Sequence, residues 1–537
     1  MTATEPRSDA PARASRPVRP WASLGVLCLA NFLILLDATI VSIALPDVQS
    51  TLDAGIDEAL WVLDGFLLAF ASLLIVAGRV GDLLGPRRVF VGGLALFTLA
   101  SLLCGLAGTP GELIAARVVQ GVGAAALLPQ ALVLIAATFP PARRGAAFGL
   151  FTAVGGVASV SGPTLGGLLV TEVGWRWIFL VNLPLGVAGI VLALRLVPDL
   201  RPGGRHRFDP VGVLLATAGL VGLAYALVEG QRHDWGRVAG PVTIPGVLVA
   251  AAVLLVLFVL WERRHPEPLV PLGLLTTRNF ALATGITLVT SFAIFGMLVV
   301  YVLEAQSVLG MSPIRAGLVA LPWTLALSAV APLAGRLTDR IGGRILLAAG
   351  LLFCVAGLLG VAVAPDLGSG AGTYALPFVL FGIGTGLTIA PATTEAMRVV
   401  PERLTGAASG VLNTARQVGA VLGSAVVGAV LQNRLTGELS AAAAARAGEL
   451  PPEQRAAFAG GFREAAARGL QLGTAQTGGA RIPAGLDAEA AARFGRLVRD
   501  VFGQAFFAAA GPTLAVVAAV ALVGFLFAAG MTGRGRA

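Results

Sequence analysis

Apolar runs of about 20 residues recur along the chain and are separated by short polar breaks. An α-helix rises about 1.5 Å per residue, so a run of this length matches a hydrocarbon core about 30 Å thick. The pattern predicts fourteen membrane-spanning helices. They cover residues 21–45, 58–80, 88–107, 111–136, 147–170, 177–197, 211–229, 243–263, 281–304, 314–334, 345–364, 373–397, 407–431 and 506–530.

Composition supports a membrane protein. Charged residues make up 12% of the chain, about half the share found in soluble domains. The formal net charge of +9 does not indicate nucleic-acid binding, because the basic residues are scattered through short loops and form no continuous stripe with aromatic residues. The expected partners are the lipid bilayer and small molecules rather than nucleic acid.

Arginine placement orients the predicted spans. The N-terminal tail and alternate loops are rich in arginine, as at Arg87–Arg88 and Arg143–Arg144, whereas the first intervening loop carries acidic residues. With an even number of spans, both termini are expected in the cytoplasm and the protein in the cytoplasmic (inner) membrane. We expect residues 1–20 to form a disordered tail, and the apolar segment that follows is too long for a signal peptide.

One predicted loop is long. Residues 432–505 are rich in alanine, contain two helix-like stretches and are expected to lie outside the cell. The segment is either a tolerated surface excursion or a cap over an exit path, and the sequence leaves both open.

An internal repeat indicates two related halves. Residues 78–87 and 335–344 carry the same residue types at five matching positions. Gly78, Arg79, Asp82, Gly85 and Arg87 correspond to Gly335, Arg336, Asp339, Gly342 and Arg344. Each copy falls between the second and third helix of its half, which points to two related bundles. The residues singled out are Gly78, Asp82, Gly85, Arg87, Asp339 and Arg344.

Asp82 is expected to lie near the start of the helix that begins at about Thr405, where the helix dipole favours a carboxylate. The glycines allow tight reversal of the chain.

On these residues the chain resembles the major facilitator superfamily and, more narrowly, its fourteen-helix drug/proton antiporter family. Further segments match that family's helix motifs in the same order along the chain. They are residues 36–46, 113–121, 162–167, 175–184 and 408–417.

The resemblance implies an all-α integral membrane protein with two six-helix bundles and two inserted helices. Residues 21–197 would form the N-terminal bundle, 198–280 the inserted pair with its loops, 281–530 the C-terminal bundle, and 531–537 a cytoplasmic tail. The resemblance also implies a monomeric exporter that uses protons as the coupling ion and needs no cofactor.

Charged residues inside the predicted spans are the main functional candidates, because a charge in hydrocarbon costs at least ~2.5 kcal/mol. Asp37, Asp64 and Arg117 lie at similar depth in the first, second and fourth spans, so they are expected to share a cavity.

Asp37 is the candidate carboxylate for protons and substrate cations, and its alternative role is a static ion pair. Asp64 is a second such carboxylate or an interfacial acid. Arg117 is a gate or counter-ion to Asp37, or it bonds carbonyls of the first helix.

Weaker candidates for substrate binding are polar residues in other spans, each of which could instead bond between helices. They are Asn31, Gln120, Gln130, Glu304 and Asn413. Glu395, at the cytoplasmic rim, is expected to be merely solvated.

The fifth span carries several small residues, including Gly162, Pro163, Gly166 and Gly167. Small residues allow close helix approach, so this span is either an interface that rocks during transport or an ordinary tight packing surface.

The sequence shows no clustered nucleophile, base or metal set, and Cys28, Cys104 and Cys354 lie apart in apolar runs. We therefore expect a transporter and not an enzyme. The leading hypothesis is a proton-coupled antiporter that exports lipophilic, cationic drugs or antibiotics by alternating access. The alternatives are a dedicated exporter of one metabolite or self-made antibiotic, and a non-transporting membrane sensor on the same fold.

Overall fold

The computed structural model describes residues 19–199, 209–230, 233, 235–265, 268, 270, 272–363, 370–401, 404–451, 455, 458, 460–462 and 488–532. The predicted tails fall largely outside these residues.

Seven helices precede the first gap. They are α1 (Pro20–Leu52), α2 (Ile56–Leu84), α3 (Pro86–Leu106), α4 (Pro110–Thr138), α5 (Pro141–Val173), α6 (Trp177–Leu180) and α7 (Asn182–Leu196). They pack chiefly on one another, and we call them the N-terminal bundle.

Two long helices follow as a separate pair. They are α8 (Pro210–Glu229) and α9 (Ile244–Glu262), joined through the short strands β1 (Arg237–Ala239) and β2 (Val242–Thr243). Helix α8 packs against α2, and α9 exposes apolar residues such as Val249, Val253 and Val256.

The remaining helices form the C-terminal bundle, from α11 onward. After the short α10 (Leu272–Thr276) come α11 (Arg278–Leu303), a π-helix (Glu304–Val308), α12 (Pro313–Val319), α13 (Leu321–Ile341), α14 (Gly343–Val363), a 3₁₀ turn (Ala371–Tyr374), α15 (Ala375–Arg398), α16 (Thr405–Arg446), a second 3₁₀ turn (Ala447–Glu449) and α17 (Ala488–Gly530).

Among the described residues, twelve helices are long and apolar enough to cross a membrane. The two other predicted spans fall in α5 and α12–α13. Helix α13 ends with Arg336, Asp339 and Arg340, which lowers its apolar character. The exact number of fourteen spans stays a prediction.

The two repeat copies form equivalent turns. Gly85 separates α2 from α3 with φ +96°, and Gly342 separates α13 from α14 with φ +84°. Both values lie in a region that favours glycine because a Cβ would clash there. We call the end of the molecule that carries these two turns the turn end; the arginine pattern predicts it to be cytoplasmic.

The bundles meet along two seams, α5 against α13 and α2 against α16. At the first seam, a Cβ added to Gly335 would lie 1.9 Å from the carbonyl oxygen of Gly145. At the second, a Cβ added to Gly78 would lie 2.5 Å from the carbonyl oxygen of Gly406. These closest approaches lie toward the turn end, so the bundles are closed together there.

Helices α16 and α17 run beyond the predicted span ends, so residues 432–446 and 488–505 are helical. The second of these segments agrees with the helix-like stretch expected over 487–501, whereas the stretch expected over 453–468 lies mostly outside the described residues. Alanine is the strongest helix former, which accounts for the extension. At 42 residues, α16 is about 63 Å long, twice the hydrocarbon thickness. Its outer part packs with α17 through Leu439, Phe494 and Val498.

Candidate functional site

Asp37 on α1 and Arg117 on α4 form a buried ion pair, in which Arg117 Nη1 donates to Asp37 Oδ2. Their side chains are 0% and 1% exposed. A lone charge at this depth would be costly, and the pair compensates one charge with the other. The sequence prediction that these two residues meet agrees with this geometry.

Two amides complete the coordination of the carboxylate. Gln120 Nε2 donates to Asp37 Oδ1 at 2.9 Å, and Asn182 Nδ2 donates to the same oxygen at 3.1 Å. Ser101 Oγ accepts from both amides, at 3.3 and 3.0 Å. The carboxylate is therefore held by α4 and α7 and buttressed by α3.

The guanidinium of Arg117 is also held from several sides. Its Nε donates to the carbonyl of Val62 at 2.9 Å, and its Nη1 donates to Gln120 Oε1 at 2.7 Å. The ring of Phe66 lies 4.3 Å from the guanidinium carbon, within cation–π range. Gly121 permits this arrangement, because a Cβ there would lie 2.5 Å from the carbonyl oxygen of Phe66 and force α2 away.

Helical spacing accounts for the inward orientation of Asp37. Leu33, Ile34, Ile40 and Val41 lie three or four positions from Asp37 and are all at most 2% exposed. Asp37 therefore lies on the face of α1 that is packed inside the bundle. On α4, Arg117 and Gln120 are three residues apart and share one face. The two helices thus aim their polar groups at one point inside the N-terminal bundle.

Asp64 is not among the hydrogen-bond partners described for Asp37. Its side chain is half-buried on α2 and is not without a partner. Trp61, one turn earlier on α2, stacks near Tyr225 of α8. Because residues three apart share a helix face, Asp64 lies partly toward the α8 side of α2. The described hydrogen bonds join Asp37 to Arg117, and the cavity that both are expected to share with Asp64 stays a prediction.

Three of the weaker candidates bond to the backbone. Asn31 Nδ2 donates to the carbonyl of Phe151 on α5, and Gln130 Nε2 donates to that of Ala77 on α2. Asn413 Nδ2 donates to the carbonyl of Ser409 on its own helix. Only Gln120, of the five residues in this group, lies in the Asp37 site.

Glu304 lies in the C-terminal bundle, at the start of the π-helix, and is 1% exposed. Its Oε1 accepts a hydrogen bond from the Tyr374 hydroxyl. The ring of Tyr374 packs edge-on against Tyr301. The predicted span ends at residue 304, and α11 ends at Leu303; the π-helix adds one further turn in which Glu304 is buried.

The two repeat aspartates link the bundles at the turn end. Asp82 accepts from the backbone N–H groups of Gly406 and Ala407 at 3.0 and 3.1 Å, in the first turn of α16, as predicted. Asp339 accepts from the N–H groups of Gly145 and Ala146 on α5 at 2.9 and 3.1 Å.

The two repeat arginines differ in their surroundings. Arg87 Nη2 donates to the carbonyl of Leu194 at the end of α7, whereas Arg344 is exposed. Glu395 is 6% exposed and therefore not merely solvated. It accepts from the N–H of Gly343 at 2.7 Å and from Arg398 Nη1 at 2.6 Å.

The glycines of the fifth span pack inside the N-terminal bundle. A Cβ added to Gly162 would lie 2.0 Å from Thr39 Oγ1, and one added to Gly166 would lie 2.8 Å from a side-chain carbon of Ile40. Gly167 is half-buried on the same helix, and the Pro163 side chain lies outside the described ones. Gly145, Gly149 and Gly156 face α13 instead and form the seam between the bundles.

Sequence reasoning missed Asn182, Ser101 and Tyr374 as site residues. Asn182 and Ser101 are isolated polar residues in apolar runs, which is the available signal. Their contact with Asp37 depends on the packing of α3 and α7 against α1, which the local sequence does not specify.

Comparison with known proteins supports one family. The family model described as Major Facilitator Superfamily matches residues 27–424. The multidrug resistance protein Stp of Mycobacterium tuberculosis is 40% identical over 412 residues, covering 76% of this chain and 76% of Stp. The tetracenomycin C resistance and export protein of Streptomyces glaucescens is 35% identical over 418 residues, covering 78% of this chain and 77% of that protein.

A solved structure agrees on the fold. The proton:xylose symporter XylE superimposes with a TM-score of 0.56 at 13% identity, covering 83% of this chain and 94% of XylE. At this identity the likeness concerns the fold alone.

Proposed function

The chain belongs to the major facilitator superfamily, and from that premise we propose that it exports lipophilic compounds across the cytoplasmic membrane in exchange for protons. As a member of this family it is a multi-pass membrane transporter and not an enzyme. Relatives named for multidrug resistance and for tetracenomycin C export support an efflux role.

The observation that carries the coupling proposal is the Asp37–Arg117 pair with its amide partners. Asp37 is 0% exposed, so its charge is tolerated here only while Arg117 compensates it. A proton on Asp37 would remove that need and release Arg117. The carboxylate can thus exist in two states that differ in charge and in its bond to α4.

We propose that these two states belong to the two ends of the transport cycle. A proton from outside neutralises Asp37 and loosens its bond to α4, which favours release of cargo outward. Return of the bundles and loss of the proton to the cytoplasm restore the pair. The static ion pair, the alternative role, would remain intact throughout the cycle.

The bundles are proposed to rock about the seams at α5–α13 and α2–α16. Contacts at the turn end, including those of Asp82 and Asp339, hold that end closed in the present conformation. The arginine pattern supports a cytoplasmic turn end and cytoplasmic termini. We propose that the protein works as a monomer.

The expected preference for cationic cargo holds only for a conformation in which the pair has separated. In the present one, both Asp37 oxygens are engaged by Arg117, Gln120 and Asn182. A cationic compound would therefore have to displace Arg117.

A second candidate is dedicated export of one antibiotic. The relative named for tetracenomycin C resistance and export favours it, since that protein is named for a single compound. A panel of compounds tested with and without an uncoupler separates broad from dedicated export.

Transport by proteoliposomes under an imposed pH gradient tests the coupling proposal. The wild-type protein is expected to move cargo against its gradient, and Asp37→Asn to lose this proton-driven movement. Asp47→Asn is the matched control, because Asp47 is exposed on the same helix. Retained coupling in Asp37→Asn would falsify the assignment.

A further inference from the structure

Arg416 on α16 is a charged residue that the proposed coupling mechanism does not use. It lies eleven positions after Thr405, the first residue of α16, which is about 16 Å along the helix and about half of the hydrocarbon thickness. A guanidinium at this depth carries a large cost unless it is compensated.

The described contacts of Arg416 do not compensate its charge. Its Nη1 donates to Asn413 Oδ1 at 3.3 Å, and no carboxylate partner is found for it among the described residues. A guanidinium has five N–H donors, so most of its capacity is unused. By contrast, Arg117 is paired with Asp37, and Arg398 is paired with Glu395 at 2.6 Å.

The helical wheel of α16 places Arg416 toward the junction of the bundles. At about 100° per residue, Arg416 lies opposite to Thr414, Val418 and Val421, which line a hollow against α8. Gly406 and Gly410 face α2, while Gly419 and Gly423 face α11. Of these two neighbours, α2 belongs to the N-terminal bundle and α11 to the C-terminal bundle.

The Arg416 side chain is only half-buried, so part of it is accessible to a water-sized probe. Its unused N–H donors can therefore meet a ligand. Asn413, itself 1% exposed, is fixed by its bond to Ser409 and so holds the near side of the guanidinium in place.

We propose that Arg416 binds an acidic group of the cargo, so that the exported compounds are lipophilic acids or carry a carboxylate, sulfonate or acidic phenol. The planar guanidinium presents paired donors that match the oxygens of such groups. An uncompensated positive charge between the bundles attracts anions, so Arg416 favours acidic cargo over the cationic cargo expected from Asp37 alone. This inference rests on the proposed function, because it takes the space between the bundles as the transport path.

Binding of two related probes tests this assignment without any gradient. Anilinonaphthalene sulfonate carries a fixed negative charge, and phenylnaphthylamine shares its ring system but lacks the sulfonate. Affinities for the full chain in lipid nanodiscs are measured by tryptophan fluorescence, with empty nanodiscs subtracted. Arg416→Gln is expected to weaken sulfonate binding about tenfold or more, as for a lost charge-assisted hydrogen bond. Phenylnaphthylamine binding should change by less than about twofold on the same argument.

Arg315→Gln is the matched control, because Arg315 is exposed in the first turn of α12. Arg416→Lys keeps the charge but loses the paired donors of the guanidinium, so it should weaken sulfonate binding less than Arg416→Gln does. If Arg416→Gln does not fold, Arg416→Lys still tests the proposal. The proposal would be overturned if Arg416→Gln weakened the binding of both probes equally. It would also be overturned if neither Arg416→Gln nor Arg416→Lys weakened the binding of the sulfonate. The binding measurement uses no proton gradient, so its result does not depend on the result of the Asp37 transport test.

Discussion

Asp82 and Asp339 hold equivalent places in the two bundles, and each binds the backbone of a helix in the opposite bundle. Asp82 on α2 accepts two N–H groups at the start of α16, and Asp339 on α13 accepts two N–H groups near the start of α5. The sequence repeat thus forms two equivalent contacts between the bundles, which we call the clasps. Both contacts must break before the turn end can open.

Neutralising the clasps should open the turn end. Asparagine keeps an acceptor oxygen but loses the charge, so each of Asp82→Asn and Asp339→Asn should weaken the closed conformation by about 1 kcal/mol, the difference between charged and neutral hydrogen bonds. The double variant should show the larger shift. Hydrogen exchange of peptides covering Gly145–Ala146 and Gly406–Ala407 should quicken, whereas Asp47→Asn should leave it unchanged. Unaltered exchange in the double variant would contradict the clasp role.

A methyl group at the seam should prevent closure. A Cβ at Gly335 would lie 1.9 Å from the carbonyl oxygen of Gly145, so Gly335→Ala cannot be accommodated without separation of α5 and α13. Transport should fall to background. Spin labels at Arg88→Cys and Arg344→Cys, both exposed at the turn end, should report a longer distance between the bundles.

Gly92→Ala is the control for that experiment, because nothing lies within 4 Å of a Cβ added at Gly92. This variant should keep wild-type transport and the wild-type label distance. If Gly335→Ala transports normally with an unchanged distance, the close approach of Gly145 and Gly335 is not required for closure. The native cysteines are buried and should not compete for the label.

Much of the helical architecture could be predicted from sequence because hydrophobic length and periodicity are local signals. The contact of Asp82 with the start of α16 was also predictable, since the repeat fixes its place and a helix start attracts a carboxylate. The end of α16 was not predictable, because an alanine-rich segment stays helical beyond the membrane and leaves no polar break.

The candidate site was predictable only in part. Depth along each helix predicted that Asp37 and Arg117 meet, and the two are bonded. Depth alone does not give the direction of Asp64 around α2, which depends on the neighbours of that helix, such as α8 beside Trp61. The burial of Glu304 was not predictable because the π-helix is not visible in the hydrophobic pattern. Direction around a helix and irregular backbone are set by tertiary packing.

Neutralising one partner of the Asp37–Arg117 pair should cost more than neutralising both. Arg117→Gln leaves Asp37 buried without compensation, which typically costs about 3–5 kcal/mol. The double variant Asp37→Asn with Arg117→Gln removes both charges and should recover most of that loss. Thermal unfolding of the purified proteins measures the difference, and proton-driven transport should be absent from the double variant even where its stability is restored. Strictly additive losses would show that the two charges do not interact.

Tyr374→Phe should destabilise the C-terminal bundle without altering proton coupling. The substitution removes the hydroxyl that donates to Glu304, whose side chain is 1% exposed, and an unsatisfied buried acceptor costs about 1–3 kcal/mol. Replacing both residues by apolar ones, as in Tyr374→Phe with Glu304→Leu, should be less damaging than Tyr374→Phe alone, because no polar group is then left unpaired. Thermal unfolding of the three proteins checks this order.

The ratio of protons to cargo should equal that of the wild type in both variants, since Glu304 lies in the bundle opposite to Asp37. A lower ratio in the variant that carries Glu304→Leu would instead make this glutamate a second proton carrier.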